Sequence, residues 1–416
     1  MTGQDGKGYR RAIICGGSMA GLFAGLLLRR QGWEVAIYER SGEELSSRGA
    51  GIATHKELFE ALDACGLNLD RSLGIALPGR LTLRRDGSEL GRHPLRQVMT
   101  SWDRLYRVLR DGFPDASYHE GRRVLGFEQA ETGVKVFLDQ GQSEQADLLI
   151  GADGFRSSLR AQLLPAAVPS YAGYVAWRGL LEERRLAPLC SKDFMEWFGF
   201  CLPAREQMLG YVVAGADDDL RVGYRRYNWV WYRPTDVNGG LEDLLTDAEG
   251  RRHSMAIPPN KVRAEVVQRM REAADRLLSP AFVHAIRLTE RPFFQPIYDL
   301  ESPRLVFGRV VLLGDAAFVG RPHLGMGVTK AASDSVALAE ALSRHDGDIP
   351  AALADWEEPR LRYGRAIVQR NRELGADMGN GPTRWPEPDS AARAQEVMTS
   401  VAVTIDPLAG GQPAAS

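Results

Sequence analysis

The sequence predicts an α/β fold, α+β overall: a dinucleotide-binding domain, a β-rich insertion within it, and C-terminal helices. Three observations carry this expectation. Arg11-Ala-Ile-Ile-Cys-Gly16-Gly17-Ser18-Met19-Ala20-Gly21 is an apolar strand that ends in glycines and opens a helix-period segment. Two later apolar runs end in acid-bearing turns, Asp153-Gly154 after Ile150 and Gly314-Asp315 after Leu313. Between Tyr171 and Arg233, aromatic and β-branched residues gather in short runs separated by turn residues, the pattern of an antiparallel sheet.

The first unit has the layout of a nucleotide-binding βαβ motif. Gly16 allows the tight turn and Gly21 lets the helix pack close to the strand. The helix N-terminus offers unpaired N–H groups and the positive end of its dipole to a pyrophosphate. A second strand, Glu34-Val-Ala-Ile-Tyr-Glu39-Arg40, ends in a carboxylate about 20 residues on, where it can accept hydrogen bonds from a ribose. Ser18 stands where the motif has its middle glycine; a serine can still approach a phosphate and donate its hydroxyl.

The 416 residues suffice for two or three domains, and 44% apolar with 25% charged residues is ordinary for a globular enzyme. A formal net charge of −2 offers no basic excess for nucleic acid or an anionic membrane. Cys15, Cys65, Cys190 and Cys201 are widely spaced with no C-x-x-C, which reads as reduced thiols in a cytoplasmic protein and no metal site. The polar N-terminus reads as neither a signal peptide nor a span.

Further along, Arg80 to Arg92 reads as a hairpin turning at Asp86-Gly87, and Ser101 as the N-cap of a helix lined by Leu105, Val108 and Leu109. Arg122 to Leu138 alternates as two strands about Glu131-Thr-Gly133. An amphipathic helix spans Val262 to Leu278, and Phe293 to Asp299 reads as a strand returning to the first domain. Long helices follow at about Val328–Leu342 and Ile349–Leu374. The nucleotide domain is thus expected from residues 1–70, 101–165 and 300–378, the inserted β-rich domain from 71–100 and 166–299, and a Gly/Pro/Ala/Ser-rich tail from 379–416, its last residues disordered.

Asp153 and Asp315 sit at the carboxyl ends of strands, where open α/β sheets bind ligands. Asp315 suits a polyol such as ribityl. The glycines of Gly325-Met326-Gly327 let backbone N–H groups approach a ring, and the helix that follows aims its positive end at it. That suits an isoalloxazine, whose reduced form is negative near N1.

In this order and spacing, the three motifs resemble the single-component FAD-dependent aromatic hydroxylases (class A flavoprotein monooxygenases, the para-hydroxybenzoate hydroxylase fold). The resemblance runs from about Arg11 to Leu374. Within that family the chain looks most similar to 2,6-dihydroxypyridine 3-hydroxylase-like members, through Gly16-Gly17-Ser18, Tyr171 to Gly179, Tyr227 to Tyr232 and Gly314 to His323. Many relatives carry His where Phe318 follows Gly-Asp-Ala-Ala. The resemblance implies an FAD-binding Rossmann-like domain in which Gly16, Ser18, Ala20 and Gly21 hold the pyrophosphate. Glu39 would bind the adenosine ribose, Arg40 would lie along the adenine, and Val124 would meet it through its backbone. Arg48 and Arg104 would reach the phosphate and ribityl region; surface ion pairs are the alternative for both. Asp153 would lie near the path of NADH or NADPH, Asp315 would bind ribityl, and Pro322, Gly325, Met326, Gly327 and Val328 would line the flavin ring. The reaction implied is hydroxylation of an electron-rich ring, such as a hydroxypyridine, by O2 through a flavin C4a-hydroperoxide, in a protein compatible with a homodimer.

Candidates for the substrate pocket are Tyr174, Trp177, Trp197, Tyr211, Trp229 and Phe293, each weighed against core packing. His323, Tyr232 and His253 are candidates for proton transfer or for orienting a hydroxyl. A tailoring monooxygenase acting on a larger indole or polyketide, by hydroxylation or epoxidation, would share fold and cofactor. A flavin-dependent halogenase is the remote alternative: Trp229-Val-Trp231-Tyr-Arg-Pro234 resembles W-x-W-x-I-P but has Arg233 in place of Ile.

Overall fold

Alternation of hydrophobic periods, two for strands and 3.6 for helices, partitions this chain into two large sheets with helices packed on each. A computed structural model describes residues 10–42, 51–67, 69, 73–346, 348–379, 381–406 and 412–413. From the N-terminus the elements are β1 (Arg11–Cys15), α1 (Met19–Arg30), β2 (Glu34–Glu39), β3 (Gly51–Ala53), α2 (Lys56–Ala64), β4 (Ile75–Leu83), β5 (Glu89–Ser101) and α3 (Trp102–Asp111). Then follow β6 (Tyr118–Glu120), β7 (Val124–Gln129), β8 (Val134–Leu138), β9 (Ser143–Ala146), β10 (Leu148–Gly151) and α4 (Ser158–Leu163). The insertion supplies β11 (Ser170–Glu182), α5 (Glu183–Leu186), α6 (Lys192–Glu196), β12 (Phe198–Cys201), β13 (Gln207–Val213) and β14 (Arg226–Pro234). It continues with α7 (Gly240–Leu244), α8 (Ala264–Leu277), α9 (Pro280–Leu288) and β15 (Phe293–Glu301). Last come β16 (Val306–Phe307), β17 (Val310–Leu312), β18 (Phe318–Val319), α10 (Gly327–Arg344), α11 (Ile349–Leu374) and α12 (Ala391–Ser400).

The first sheet has the order β16-β17-β10-β1-β2-β6, parallel except at β16. Its central strands are apolar along their whole length because both faces are covered, as parallel sheets require. Helix α1 is buried from Met19 to Leu28 and packs on α10. The second sheet has nine strands in the order β18-β15-β11-β14-β13-β12-β4-β5-β3. A small sheet, β7-β8-β9, stands apart.

Three expectations change. The strand from Phe293 does not return to the nucleotide sheet; β15 pairs antiparallel with β11 in the nine-stranded sheet. Gly51–Ala53, placed with the nucleotide domain, pairs with the end of β5 in that same sheet. The tail beyond Gly379 holds helix α12, started by Ser390, whose hydroxyl accepts from the Arg393 amide. Its apolar residues Ala394, Val397 and Met398 are buried on the nine-stranded sheet; the small and polar residues around them masked that spacing. The hairpin turns at Gly87, with φ 90°, and Ser101 caps α3 by accepting from the Arg104 amide at 3.2 Å.

Beneath the first sheet's edge, α10 and α11 are joined by a buried ionic cluster. Asp334 accepts from Lys330 Nζ at 2.6 Å through Oδ2 and from both Arg360 nitrogens through Oδ1, at 2.8 and 2.6 Å. Its Oδ2 also receives the Gly314 amide at 3.4 Å, tying the cluster to the turn that carries Asp315. We expect Asp334→Ala to cost about 3–5 kcal/mol, since it strands a buried ammonium. Adding Lys330→Met should recover part of the loss. Denaturant unfolding of the apoprotein measures both; an unchanged midpoint for Asp334→Ala would remove the cluster from the account.

Candidate active site

The carboxyl ends of β1, β10 and β17 meet at one edge of the parallel sheet, and their turns approach too closely for side chains. At Gly16, with φ 106°, a Cβ would lie 2.4 Å from the Ala152 carbonyl oxygen. A Cβ on Gly21 would lie 2.0 Å from the Gly16 oxygen. Gly314, with φ 57°, comes against Ala20 in the same way, at 2.9 Å. Backbone rather than side chain therefore floors a long cleft, and the first-turn amides of α1 open onto it without partners inside the helix. Ser18, the N-cap residue, makes no side-chain capping bond, so its hydroxyl is available to a ligand.

The cleft consists of adjoining hollows that share walls. The first, about 300 Å³, is lined by Gly16, Ser18, Glu39, Arg40, Val124 and Asp153. The second, about 410 Å³, is lined by Ser18, Ala20, Trp102, Asp315, Gly327 and Val328, with Phe293 opposite. The third, about 230 Å³, lies between the two sheets and is walled by Arg178, Tyr211, Tyr232, Pro322, His323 and Gly325. A fourth, about 540 Å³, flanks these and includes Arg40, Asp153, Arg156, Arg178, Tyr298 and Asp315.

The acids differ in how they are held. Glu39 accepts the Gly17 amide on Oε2 and the Ser41 amide on Oε1, both at 2.8 Å, and each oxygen keeps a lone pair for a further donor. Asp153 braces the start of α4, accepting from the Ser158 amide at 2.6 Å and its hydroxyl at 3.0 Å through Oδ2, while its Oδ1 is buried without a partner. Asp315 lies deep in the protein mass, yet its carboxylate is open to the cleft. Burial raises its pKa, Lys330 and Arg160 pull it down, and water in the cleft relieves part of the burial. The left-handed Gly325, with φ 65°, turns the chain into α10. At Gly327 the space beyond is open, as close approach of a flat ring to the helix start demands.

His323 is buried, and its Nε2 is 2.6 Å from the Tyr174 hydroxyl. Burial, with Arg321 nearby, drives its pKa down to about 3, so the imidazole is neutral near pH 7. Tyr232 meets it edge-on, at 4.8 Å between ring centres. Arg321 is held by Asp299 at 3.0–3.2 Å. Arg178 differs: among the described residues its guanidinium has no hydrogen-bond or ion-pair partner, and its Nε is buried.

A family model described as FAD binding domain-like matches residues 171–299. The 2,6-dihydroxypyridine 3-monooxygenase of Paenarthrobacter nicotinovorans is 31% identical over 379 residues, covering 90% of this chain and 93% of that protein. The chain belongs to the class A FAD-dependent aromatic hydroxylases. It is similar to the solved 2,6-dihydroxypyridine-3-hydroxylase from Arthrobacter nicotinovorans, with a TM-score of 0.82 and 30% identity, covering 91% of this chain and 95% of that one. An FAD-dependent urate hydroxylase of Klebsiella pneumoniae is 30% identical over 381 residues, 87% of this chain and 89% of its own. This hydroxylase is therefore an FAD-dependent monooxygenase. The glycine floor, the unpartnered Asp153 Oδ1 and the open Asp315 carboxylate fit the cofactor.

Not every expected residue of this hydroxylase faces the cleft. Gly21 acts beneath it, by contact with Gly16. The Met326 side chain points into a core with Leu324, Tyr363 and Ile367. Arg104 lies outside the hollows' walls, with Nη1 3.5 Å from Asp218. Arg48 falls outside the described residues. Trp177, Trp197 and Trp229 are corrections. Trp177 packs on Phe294 at 5.1 Å, and Trp229 lies over Gly179 with its indole N–H donating to Thr289 at 2.8 Å. Both are on the sheet face opposite Arg178 and Tyr232. Trp197 stacks under Arg92, and His253 pairs with Asp247 at 2.9 Å in a remote turn. Trp229 and Trp231, the pair that suggested a halogenase, are fully buried and line none of the hollows. Arg178, Trp102 and Asn371, which line the hollows, were missed. The signal for Arg178 was available: it shares strand parity with Tyr174.

Two outcomes follow for this hydroxylase. Asp315→Ala should weaken FAD binding about 10- to 100-fold, the worth of a hydrogen bond to a charged group; retention of stoichiometric yellow cofactor would count against the site. His323 and His55, the latter lowered to about 4 by burial, cannot take up protons that the unfolded chain accepts near pH 6.5. Each should therefore subtract about 1.4 kcal/mol of stability between pH 7.5 and 5.5. Denaturation of wild type and His323→Gln at both pH values reads this, and the variant should lose less.

Proposed function

We propose that this hydroxylase oxygenates a single electron-rich heteroaromatic ring bearing an ionisable oxygen, of the hydroxypyridine class, with O2 and NADH or NADPH. The observation that carries the reading is Arg178. It places an unpartnered guanidinium in a largely apolar chamber beside Tyr211, Tyr232, Phe198 and Leu209. Arg178 is half-buried with its Nε shielded from water; a cation in such a place without a counterion is poorly solvated, and a ligand oxygen carrying negative charge would relieve it. An ionised ring oxygen is also what makes such a ring electron-rich.

The chamber's size supports the same reading. The hollow holds about 230 Å³, part of which FAD would take along Pro322, Gly325, Gly327 and Val328; what remains suits one ring and is small for an indole with substituents or a polyketide. FAD, when bound, would supply the oxygen-activating and hydride-accepting chemistry. The protein's share is to hold the ring against Arg178, with Tyr232 and the neutral His323–Tyr174 pair orienting polar substituents and the apolar walls excluding water. The fourth hollow, with Arg40 and Arg156 at its edge and the Phe155 and Tyr298 rings 5.4 Å apart, is where we place the nicotinamide cofactor's approach.

The test is NADH and NADPH oxidation by the yellow protein against hydroxypyridines, phenols and indoles, with product and peroxide followed together. Strong stimulation by a hydroxypyridine with little peroxide is expected; stimulation only by large polycyclic compounds would overturn the reading. Arg178→Met should weaken binding of the ionisable ring about 10- to 100-fold and leave a ring without that oxygen unaffected. Equal losses for both rings would remove the charge from the argument.

A further inference from the structure

We propose that the C-terminal segment 391–405 is a strap that closes the ring chamber and sets the largest ring this hydroxylase accepts, with Val401 and Ala402 as the size-determining residues and Arg80 as the positioning residue that holds them. This deepens the substrate reading above and rests on it for the chamber's occupant.

The strap is fastened at both ends. At its start, Arg393 is buried and donates to the Pro203 carbonyl at 2.7 Å and the Glu206 carbonyl at 2.8 Å, so α12 is pinned to the turn between β12 and β13. At its end, Arg80 of β4 is fully buried and donates from Nη1 to the Met398 carbonyl at 2.7 Å and from Nη2 to the Ala402 carbonyl at 3.3 Å. Gln97 on β5 adds a bond from Nε2 to the same Ala402 carbonyl at 2.8 Å, and its Oε1 accepts from Arg80 at 3.1 Å. No carboxylate among the described residues pairs with Arg80. A guanidinium is thus met by backbone carbonyls at and beyond the negative end of α12. It has no reason to be buried there unless the strap covers it.

The same few residues reach the chemistry. The Ala402 amide donates to the His323 carbonyl at 2.8 Å. Ala402 holds a left-handed φ of 54°, a conformation an alanine adopts at a cost, and its methyl group is 3.6 Å from where a Gly325 Cβ would be. Val401 and Ala402 both line the chamber whose wall carries Arg178. The chamber's outer limit is therefore set by a segment remote in sequence from the nucleotide motifs, latched by a residue that never touches the ligand.

The test compares binding of 3-hydroxypyridine and 3-hydroxyquinoline, read by perturbation of the bound flavin's absorbance. The forms are wild type, Val401→Ala, Val401→Phe, Arg80→Met and Arg80→Lys, each with its FAD content measured. Val401→Ala should shift the ratio of dissociation constants toward the two-ring compound about tenfold, and Val401→Phe should shift it the other way. Arg80→Met should shift it in the Val401→Ala direction with FAD retained, and Arg80→Lys should restore part of the discrimination. Unchanged ratios in the Val401 variants would overturn the strap as a size limit, whatever the true substrate. If neither ring perturbs the wild-type flavin, the substrate reading fails. Iodide quenching of flavin fluorescence then decides the strap: greater quenching in Arg80→Met supports it, and equal quenching overturns it.

Discussion

Everything in this hydroxylase depends on backbone approaching backbone at the carboxyl edge of the parallel sheet. Gly16 lies against the Ala152 carbonyl and Gly21 against the Gly16 carbonyl, while Gly314 lies against the methyl group that Ala20 carries on α1. None of these contacts admits a Cβ without moving main chain. The result is a floor of amides and helix N-termini instead of side chains, which a dinucleotide can approach along its length. The ionic cluster of Asp334, Lys330 and Arg360 matters for the same reason: it holds the Gly314 turn from below, where no side chain on that turn could.

The nine-stranded sheet supplies what the parallel sheet cannot, a wall with two chemically distinct faces. Tyr174, Ala176 and Arg178 alternate with Val175, Trp177 and Gly179 along β11, and their partners on β14 keep the same alternation. One face carries Tyr232, Val230 and Asn228 toward the cleft. The other carries Trp229 and Trp231 into a core completed by Phe282 and Phe294. A one-residue slip in this register would exchange a guanidinium for an indole at the chamber wall, so the tight packing of Trp229 on Gly179 fixes the chemistry of the opposite face.

Much of this was legible in the sequence, and the limits have physical causes. Gly16, Ser18, Asp153 and Asp315 could be read because their roles come from local backbone geometry at strand ends. The helix over Ile349–Leu374 could be read because apolar residues recur at helical spacing from Ile349 through Leu353 and Trp356 to Ile367 and Val368. The aromatic candidates were read poorly: a list mixing Tyr174 with Trp177, and Tyr232 with Trp229, contains residues of opposite parity on one strand, which cannot share a wall. The joining of Gly51–Ala53 to β5 and of β15 to β11 are long-range pairings that no local pattern specifies. Helix α12 was hidden because small and polar residues surround its few buried apolar ones, and its docking depends on arginines whose partners are carbonyls 187 or more residues away.

The proton balance of the proposed reaction narrows to one group. A histidine facing the ring invites the role of general base, but His323 has its pKa driven to about 3 and already shares a short bond with Tyr174. Tyr174, Tyr211 and Tyr232 are all raised by burial, so each is a neutral donor near pH 7. The nearby Arg178 charge pulls the last two down, against the larger effect of burial. Among the described residues of the chamber wall, and apart from the Asp315 carboxylate assigned to the cofactor, a ring hydroxyl therefore meets no strong base. The ring would therefore enter as the anion, its proton left to bulk water, and be held by the half-buried Arg178 guanidinium with neutral hydrogen-bond donors around it. On the proposed reading, Arg178 would select a ring with an ionisable oxygen and, by favouring its anion, keep it electron-rich enough to be oxygenated.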